Sequence, residues 1–159
     1  MTMITFAHDT IRFTYRIAGV AIEDGRVLLH QAESDDFWAL PGGRAELLES
    51  AADTLRREMR EELDIEVEVV RPLWLVENFF QHQGYQHHEL GIYFLMRVPA
   101  DWSLRAQTDP FLGDENGTRL ICRWFPLAEL AAIKVYPSFL ASGLRALPAT
   151  LQHVVHIDS

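Results

Sequence analysis

The 159-residue chain carries 23 acidic against 14 basic residues, a net charge of −9, and is 48% hydrophobic. That length and composition fit one soluble domain, residues 1–159, large enough to bury its own core. They exclude extended nucleic-acid binding, which needs clustered Lys and Arg, and no apolar run approaches the roughly 20 residues of a membrane span. The start of the chain lacks the basic-then-apolar pattern of a signal peptide. The single cysteine, Cys122, rules out an internal disulfide, suits a reducing cytoplasm, and reads as a buried, inert thiol.

Taken in chain order, Phe13 to Glu23 is rich in β-branched and aromatic residues and predicts a strand. Asp24-Gly25 is a turn signal, and Val27 to Leu29 is its expected hairpin partner. A loop follows through Asp35 and Asp36 to the Pro41-Gly42-Gly43 break. Ser50 to Leu63 has helical spacing. Ile65 to Val70 and Leu73 to Asn78 are strand-like, with Pro72 between them as a bend or edge. Leu90 to Val98 is a strong strand. The polar segment from Ala100 to Gly117 is long for a loop in a compact domain, which points to function. Leu120 to Phe125 is the last clear strand, and Leu127 to Ile133 and Ser138 to Leu147 predict short helices. Strands on both sides of one central helix predict an α/β (α+β) fold, a mixed sheet sandwiched between helices.

The helix from Ser50 carries the chemistry. Ser50 with Asp53 three residues later is a capping-box-like start. At 100° per residue Ala52, Leu55, Met59 and Leu63 share an apolar stripe. Glu58, Glu61 and Glu62 stand at i, i+3 and i+4, so their carboxylates converge beside it. Like charges at that spacing cost a bare helix about 0.2–0.5 kcal/mol per pair. A solvated acidic face is the plain reading of three glutamates alone. A hard divalent cation that removes the repulsion is the reading favoured by Gly42-Gly43 before the helix, Glu49 at its entrance and Arg57 beside the acids.

Gly43, Glu49, Arg57-Glu58-Met59, Glu61-Glu62 and Asp64-Ile65 resemble the Nudix box, Gly-x5-Glu-x7-Arg-Glu-U-x-Glu-Glu-x-Gly-U, with U a bulky aliphatic residue. Six fixed identities match by chance about once in 10⁷ windows at average residue frequencies. Trp38 to Gly43 and Trp124 to Leu130 resemble the segments that flank that box. The one departure is Asp64, where the family has a glycine closing the helix in a left-handed turn. It implies a cost of about 1 kcal/mol or a shifted turn.

The resemblance implies a Nudix-like α/β/α sandwich and a hydrolase acting on phosphoric anhydride bonds. It implies cleavage of a nucleoside diphosphate linked to another moiety, with Mg²⁺ or Mn²⁺ as cofactor. Glu58, Glu62 and the Gly43 carbonyl are the implied metal ligands. Glu61 is a further ligand or part of the water-activating apparatus, and Glu49 and Arg57 orient the site. The base can also come from a distant loop acid. Among Asp109, Asp114 and Glu115, the preferred residue is Glu115. Arg16, Trp38 and His88 are the candidate substrate contacts, with the wider His82, His87, His88, Glu89 cluster open as contacts or a zinc site. The partner is a small nucleotide-derived molecule, with a homodimer left open. Two rivals remain in the same fold, a non-catalytic ligand-sensing module and an isoprenoid diphosphate isomerase that needs a catalytic cysteine.

Overall fold

A computed structural model describes residues 2–158. In chain order its strands are β1 (Thr5–His8), β2 (Ile11–Val20), β3 (Ile22–Glu23), β4 (Arg26–Ala32) and β5 (Gly42–Arg44). Helix α1 (Ala51–Leu63) precedes β6 (Glu68–His82), β7 (Tyr85–Arg97), β8 (Phe111–Glu115) and β9 (Thr118–Pro126). A 3₁₀ turn (Leu127–Ala132), the one-turn α2 (Leu140–Gly143) and β10 (Gln152–Ile157) follow.

The strands form two sheets. One is mixed, in the order β1-β2-β7-β6-β10, with β5 also paired to β2; β2 with β7 and β6 with β10 run parallel. The other, β3-β4-β9-β8, is antiparallel throughout. Side chains alternate along a strand, so each sheet feeds two cores. Ile17, Leu28 and Phe94 pack with Leu55 and Met59 of α1 on one side. Ala18, Val27 and Tyr93 pack on the other, closed by Leu130, Leu140 and Leu144. This is the expected mixed sheet between helices. Leu55 and Met59 are wholly buried, each worth roughly 2 kcal/mol in removed apolar surface.

Several predicted elements change identity in three dimensions. The strand expected from Phe13 to Glu23 is two strands in different sheets, because Ile17 to Val20 are buried on both faces and suit the interior of the larger sheet. Asp24 and Gly25 do make a hairpin turn, at φ 50° and 73°, but it joins only β3 to β4. Pro72 does not end a strand. It lies within β6 opposite Phe94, flanked by register shifts that absorb its missing N–H. Ile65 and Val67 are core plugs before that strand rather than part of it. The segment expected to be a loop from Ala100 to Gly117 ends in β8, which turns through Asn116 and Gly117 (φ 50° and 83°) into β9. The second short helix shrinks to the single turn of α2, and β10, beyond the last predicted element, completes one edge of the large sheet.

Candidate active site

Helix α1 is held at both ends by its own sequence. The Ser50 side chain accepts from the Asp53 N–H at 3.2 Å. Asp64 closes the helix at φ 56°, ψ 43°, and the N–H groups of Asp64 and Ile65 return to the carbonyls of Arg60 and Met59 at 3.0 and 3.4 Å. Aspartate therefore adopts the left-handed closure normally given to glycine, and the turn is not shifted.

The three glutamates separate into two environments. Glu58 and Glu62 are each 4% exposed and lie beside the Leu55–Met59 stripe. Glu61 is exposed and bonds to Arg57 Nη1 at 3.2 Å. Burial, then the neighbouring Glu62 charge, pushes the Glu58 carboxyl up to about 7. Burial also raises Glu62 well above the usual carboxylate range, with Glu115 adding to it and Arg16 opposing it. Neither Glu62 oxygen has a hydrogen-bond partner; the Gly42 N–H faces the carboxylate without closing a bond. His30 Nδ1 stands 3.4 Å from Glu62 Oε2, but burial drives that imidazole down to about 3, so it is neutral and forms no ion pair.

Arg57 ties the entrance of the helix to these acids. Its Nε donates to Glu49 Oε2 at 2.8 Å, Nη2 to Glu49 Oε1 and to the Arg44 carbonyl at 3.0 Å, and Nη1 to Glu58 Oε1 at 2.9 Å. This forked contact, with a 2.7 Å bond from Thr54 Oγ1, pulls Glu49 down to about 2. Thr54, fully buried, is a site residue the sequence reading missed; its place five residues after Glu49, one turn past Ser50, was the available signal.

Gly43 lies in β5, opposite Ile17 of β2. A Cβ there would fall 2.3–2.5 Å from the Glu58 carboxyl atoms. Only glycine lets backbone and carboxylate come so close. Both groups open onto a cleft of about 940 Å³. Glu115 lines the same cleft, half-buried near the tip of the β8–β9 hairpin, brought there because Gly113 packs against the C-terminal turn of α1. Asp109 and Asp114 are exposed and do not line the cleft.

The residues expected to touch substrate divide. Arg16 lines the cleft, donates to the Leu40 carbonyl at 2.8 Å, and faces the charges of Glu89, Glu115 and Glu62. Trp38 does not line it; its ring packs on Phe125, 4.7 Å between centroids, in the second core. His88 points away from it, between Phe13 and Phe79 on the opposite face of the sheet. Its neighbours His87 and Glu89 face the cleft instead, one step away in a period of two. The histidine cluster splits: His82 and His87 stay together at the cleft, rings 6.2 Å apart, with His82 3.6 Å from Asp35 and His87 stacked on Phe80 at 4.7 Å, while His88 leaves it.

A divalent cation fits the buried Glu58 and Glu62 with the Gly43 backbone beside Glu58, because two carboxyls raised by burial and by neighbouring acids, Glu62 acting on Glu58 and Glu115 on Glu62, need a positive partner. Among the described residues no three His, Cys, Asp or Glu side chains gather closely enough to enclose an ion by themselves. Protein ligands in that small number leave coordination positions for water and phosphate.

A family model described as the NUDIX domain matches residues 14–146. An RNA pyrophosphohydrolase of Halorhodospira halophila is 30% identical over 126 residues, covering 72% of this chain and 69% of that protein. Among solved structures, a MutT NUDIX hydrolase from Burkholderia pseudomallei aligns with a TM-score of 0.61 at 21% identity, over 81% of this chain and 95% of the other. An ADP-ribose pyrophosphatase from Streptococcus suis aligns at 0.59 and 16% identity, over 89% and 98%. At those identities the structural likeness shows the shared fold.

Proposed function

This chain belongs to the Nudix family of hydrolases acting on phosphoric anhydride bonds, and from that premise we propose that it is a divalent-metal-dependent pyrophosphohydrolase of nucleoside diphosphate derivatives. The observation that carries this reading is the buried Glu58–Glu62 pair: Glu58 and Gly43 line an open cleft, and behind them both Glu62 oxygens are buried and free of partners. The proposed catalytic unit is the whole chain, residues 1–159.

Glu58, Glu62 and the Gly43 carbonyl are the proposed holders of Mg²⁺ or Mn²⁺. Such an ion supplies charge neutralisation on the diphosphate oxygens and acidifies a bound water. The chain does the rest. Arg57 fixes Glu58 and, through Glu49 and the Arg44 carbonyl, fixes the helix against β5. Glu61, on the exposed side of Arg57, screens that guanidinium and stands nearest to solvent as a further ligand. Arg16 supplies a positive charge between the acids and Glu89, suited to a phosphate oxygen. Glu115, which lines the cleft from the β8–β9 hairpin, is the proposed proton acceptor for the attacking water. The aromatic rings of Phe37, Tyr136 and Phe80 line the same cleft and offer stacking surfaces for a base.

Among the described residues no helix is long and apolar enough to cross a membrane. We place the reaction in the cytoplasm, a reading supported by Cys122, the chain's only cysteine, buried and pushed up to about 12 by that burial. A buried thiol of this kind gives no support to the isomerase alternative.

The test is phosphate release from a panel of ADP-ribose, nucleotide sugars, dinucleoside polyphosphates, oxidised nucleoside triphosphates and, because of the relative's name, a 5′-polyphosphorylated RNA. The net charge of −9 weighs against the RNA. Activity is expected to vanish in excess chelator and return with Mg²⁺ or Mn²⁺. Full turnover in chelator sinks the metal role, and tight nucleotide binding without turnover on any compound selects the non-catalytic module.

A further inference from the structure

The sheet register builds a second chemical feature into the floor of the cleft. Thr14 of β2, Glu89 of β7 and Asn78 of β6 are paired across adjacent strands, Thr14 with Glu89 and Glu89 with Asn78. They form a polar row on one sheet face, while the residues one step away, Phe13, His88 and Phe79, form an aromatic row on the other. Asn78 is 4% exposed and Thr14 is 6% exposed, so this row is a buried polar stripe and not a solvated edge.

Two groups in the stripe point to a ligand. The Asn78 Oδ1 is buried and has no hydrogen-bond partner. A buried carbonyl oxygen without a partner costs about 1–3 kcal/mol, so its persistence calls for a donor from outside the chain. Its orientation is set by chemistry: the amide nitrogen stands against the Glu89 carboxylate, which accepts only, so the oxygen turns the other way. Glu89 is the other group. Burial raises its carboxyl, and the Arg16 guanidinium and the Asn78 amide act against that by favouring the charged, accepting form. The cleft floor therefore offers two acceptors from directly paired positions of neighbouring strands, with the rings of Phe80 and Phe37 lining the same space.

We infer that Asn78 and Glu89 form a base-reading subsite for a base edge carrying adjacent N–H donors, the edge presented by a guanine-type base. This rests on the reading of the cleft as a nucleotide site and names the class of nucleotide. Guanine places a ring N–H beside an exocyclic amino group, two donors for two acceptors. Adenine places its amino group beside a bare ring nitrogen, which meets an acceptor with repulsion. Hypoxanthine keeps the ring N–H and lacks only the amino group, which makes it the discriminating probe.

The experiment measures binding of guanosine, inosine and adenosine 5′-monophosphates by calorimetry in chelator, with no turnover required. The guanosine nucleotide is expected to bind at least about tenfold more tightly than either other, because losing one donor leaves a buried acceptor unmatched. Asn78→Leu is expected to bring the guanosine-to-inosine ratio close to one, and Asn78→Ser, a smaller change, to reduce it. A wild-type ratio near one, a preference for adenosine, binding of none of the three, or a ratio unchanged in both variants overturns the inference. The ligand comparison needs no variant to fold. Selective binding with no turnover in metal leaves the subsite standing and removes the hydrolase; turnover without selectivity does the reverse.

Discussion

At the scale of single residues, Glu62 combines burial, a raised carboxyl and two unpartnered oxygens. Glu62→Gln keeps the volume and removes the charge. We expect turnover to fall by orders of magnitude, as when a metal ligand is lost. The thermal midpoint in chelator is expected to hold or rise, because Glu58 loses a like-charged neighbour. Paired kinetics and melting curves check this, and wild-type turnover would reduce Glu62 to a packing residue. Glu115 is a different case, since it approaches from another sheet and not from the helix. Glu115→Gln is expected to lower kcat by about 10²–10⁴ with metal affinity nearly unchanged. Metal titration alongside initial rates separates the two effects. Near-wild-type rates in Glu115→Gln, Asp114→Asn and Asp109→Asn would return the base to Glu61.

At the scale of elements, α1 is the part whose sequence and structure agree most closely, and its one irregularity is open to a direct test. Asp64 holds a left-handed conformation at the helix end, which costs a residue bearing a Cβ roughly 1–2 kcal/mol. Asp64→Gly removes that strain and gives back part of the gain through a freer unfolded chain. The net expectation is a stabilisation of about 1 kcal/mol, read as a higher urea midpoint at unchanged slope. A lower midpoint would show that the Asp64 side chain contributes to the closure. The β8–β9 hairpin teaches the opposite lesson. Asn116-Gly117 is a strong turn signal, yet the polar, proline-containing segment before it hid the short β8.

At the scale of the whole molecule, the site shapes the response to pH through two groups of opposite sign. Glu49 is held down to about 2 by Arg57, so its contribution is complete above the ordinary carboxyl value of 4.5 and is lost as pH falls toward 2. Glu58 is pushed up to about 7, so the folded protein binds the proton more tightly than the unfolded chain. Its effect runs the other way, and stability declines as pH rises from about 4.5 to about 7. Denaturant midpoints in chelator across pH 2–8 should show Glu49→Gln flattening the acid limb and Glu58→Gln flattening the neutral one. Each change is expected on the order of 2 kcal/mol. An unchanged neutral limb in Glu58→Gln would show that its carboxyl is not held protonated by the fold.

The sequence by itself determined α1, its two ends and the order of acids along it, because caps and i, i+3, i+4 neighbours are set by bonds a few residues apart. It also sufficed for the family and for the mixed sheet between helices. Tertiary structure alone decided which of those acids are buried: Glu58 and Glu62 turn inward with Leu55 and Met59, while Glu61 remains outside. It placed Trp38 in a core, turned His88 away and brought His87, Glu89 and Asn78 to the cleft. The physical reason is register. A strand shows both faces in its sequence, and only its pairing with strands far along the chain selects which face meets the core and which meets the cleft.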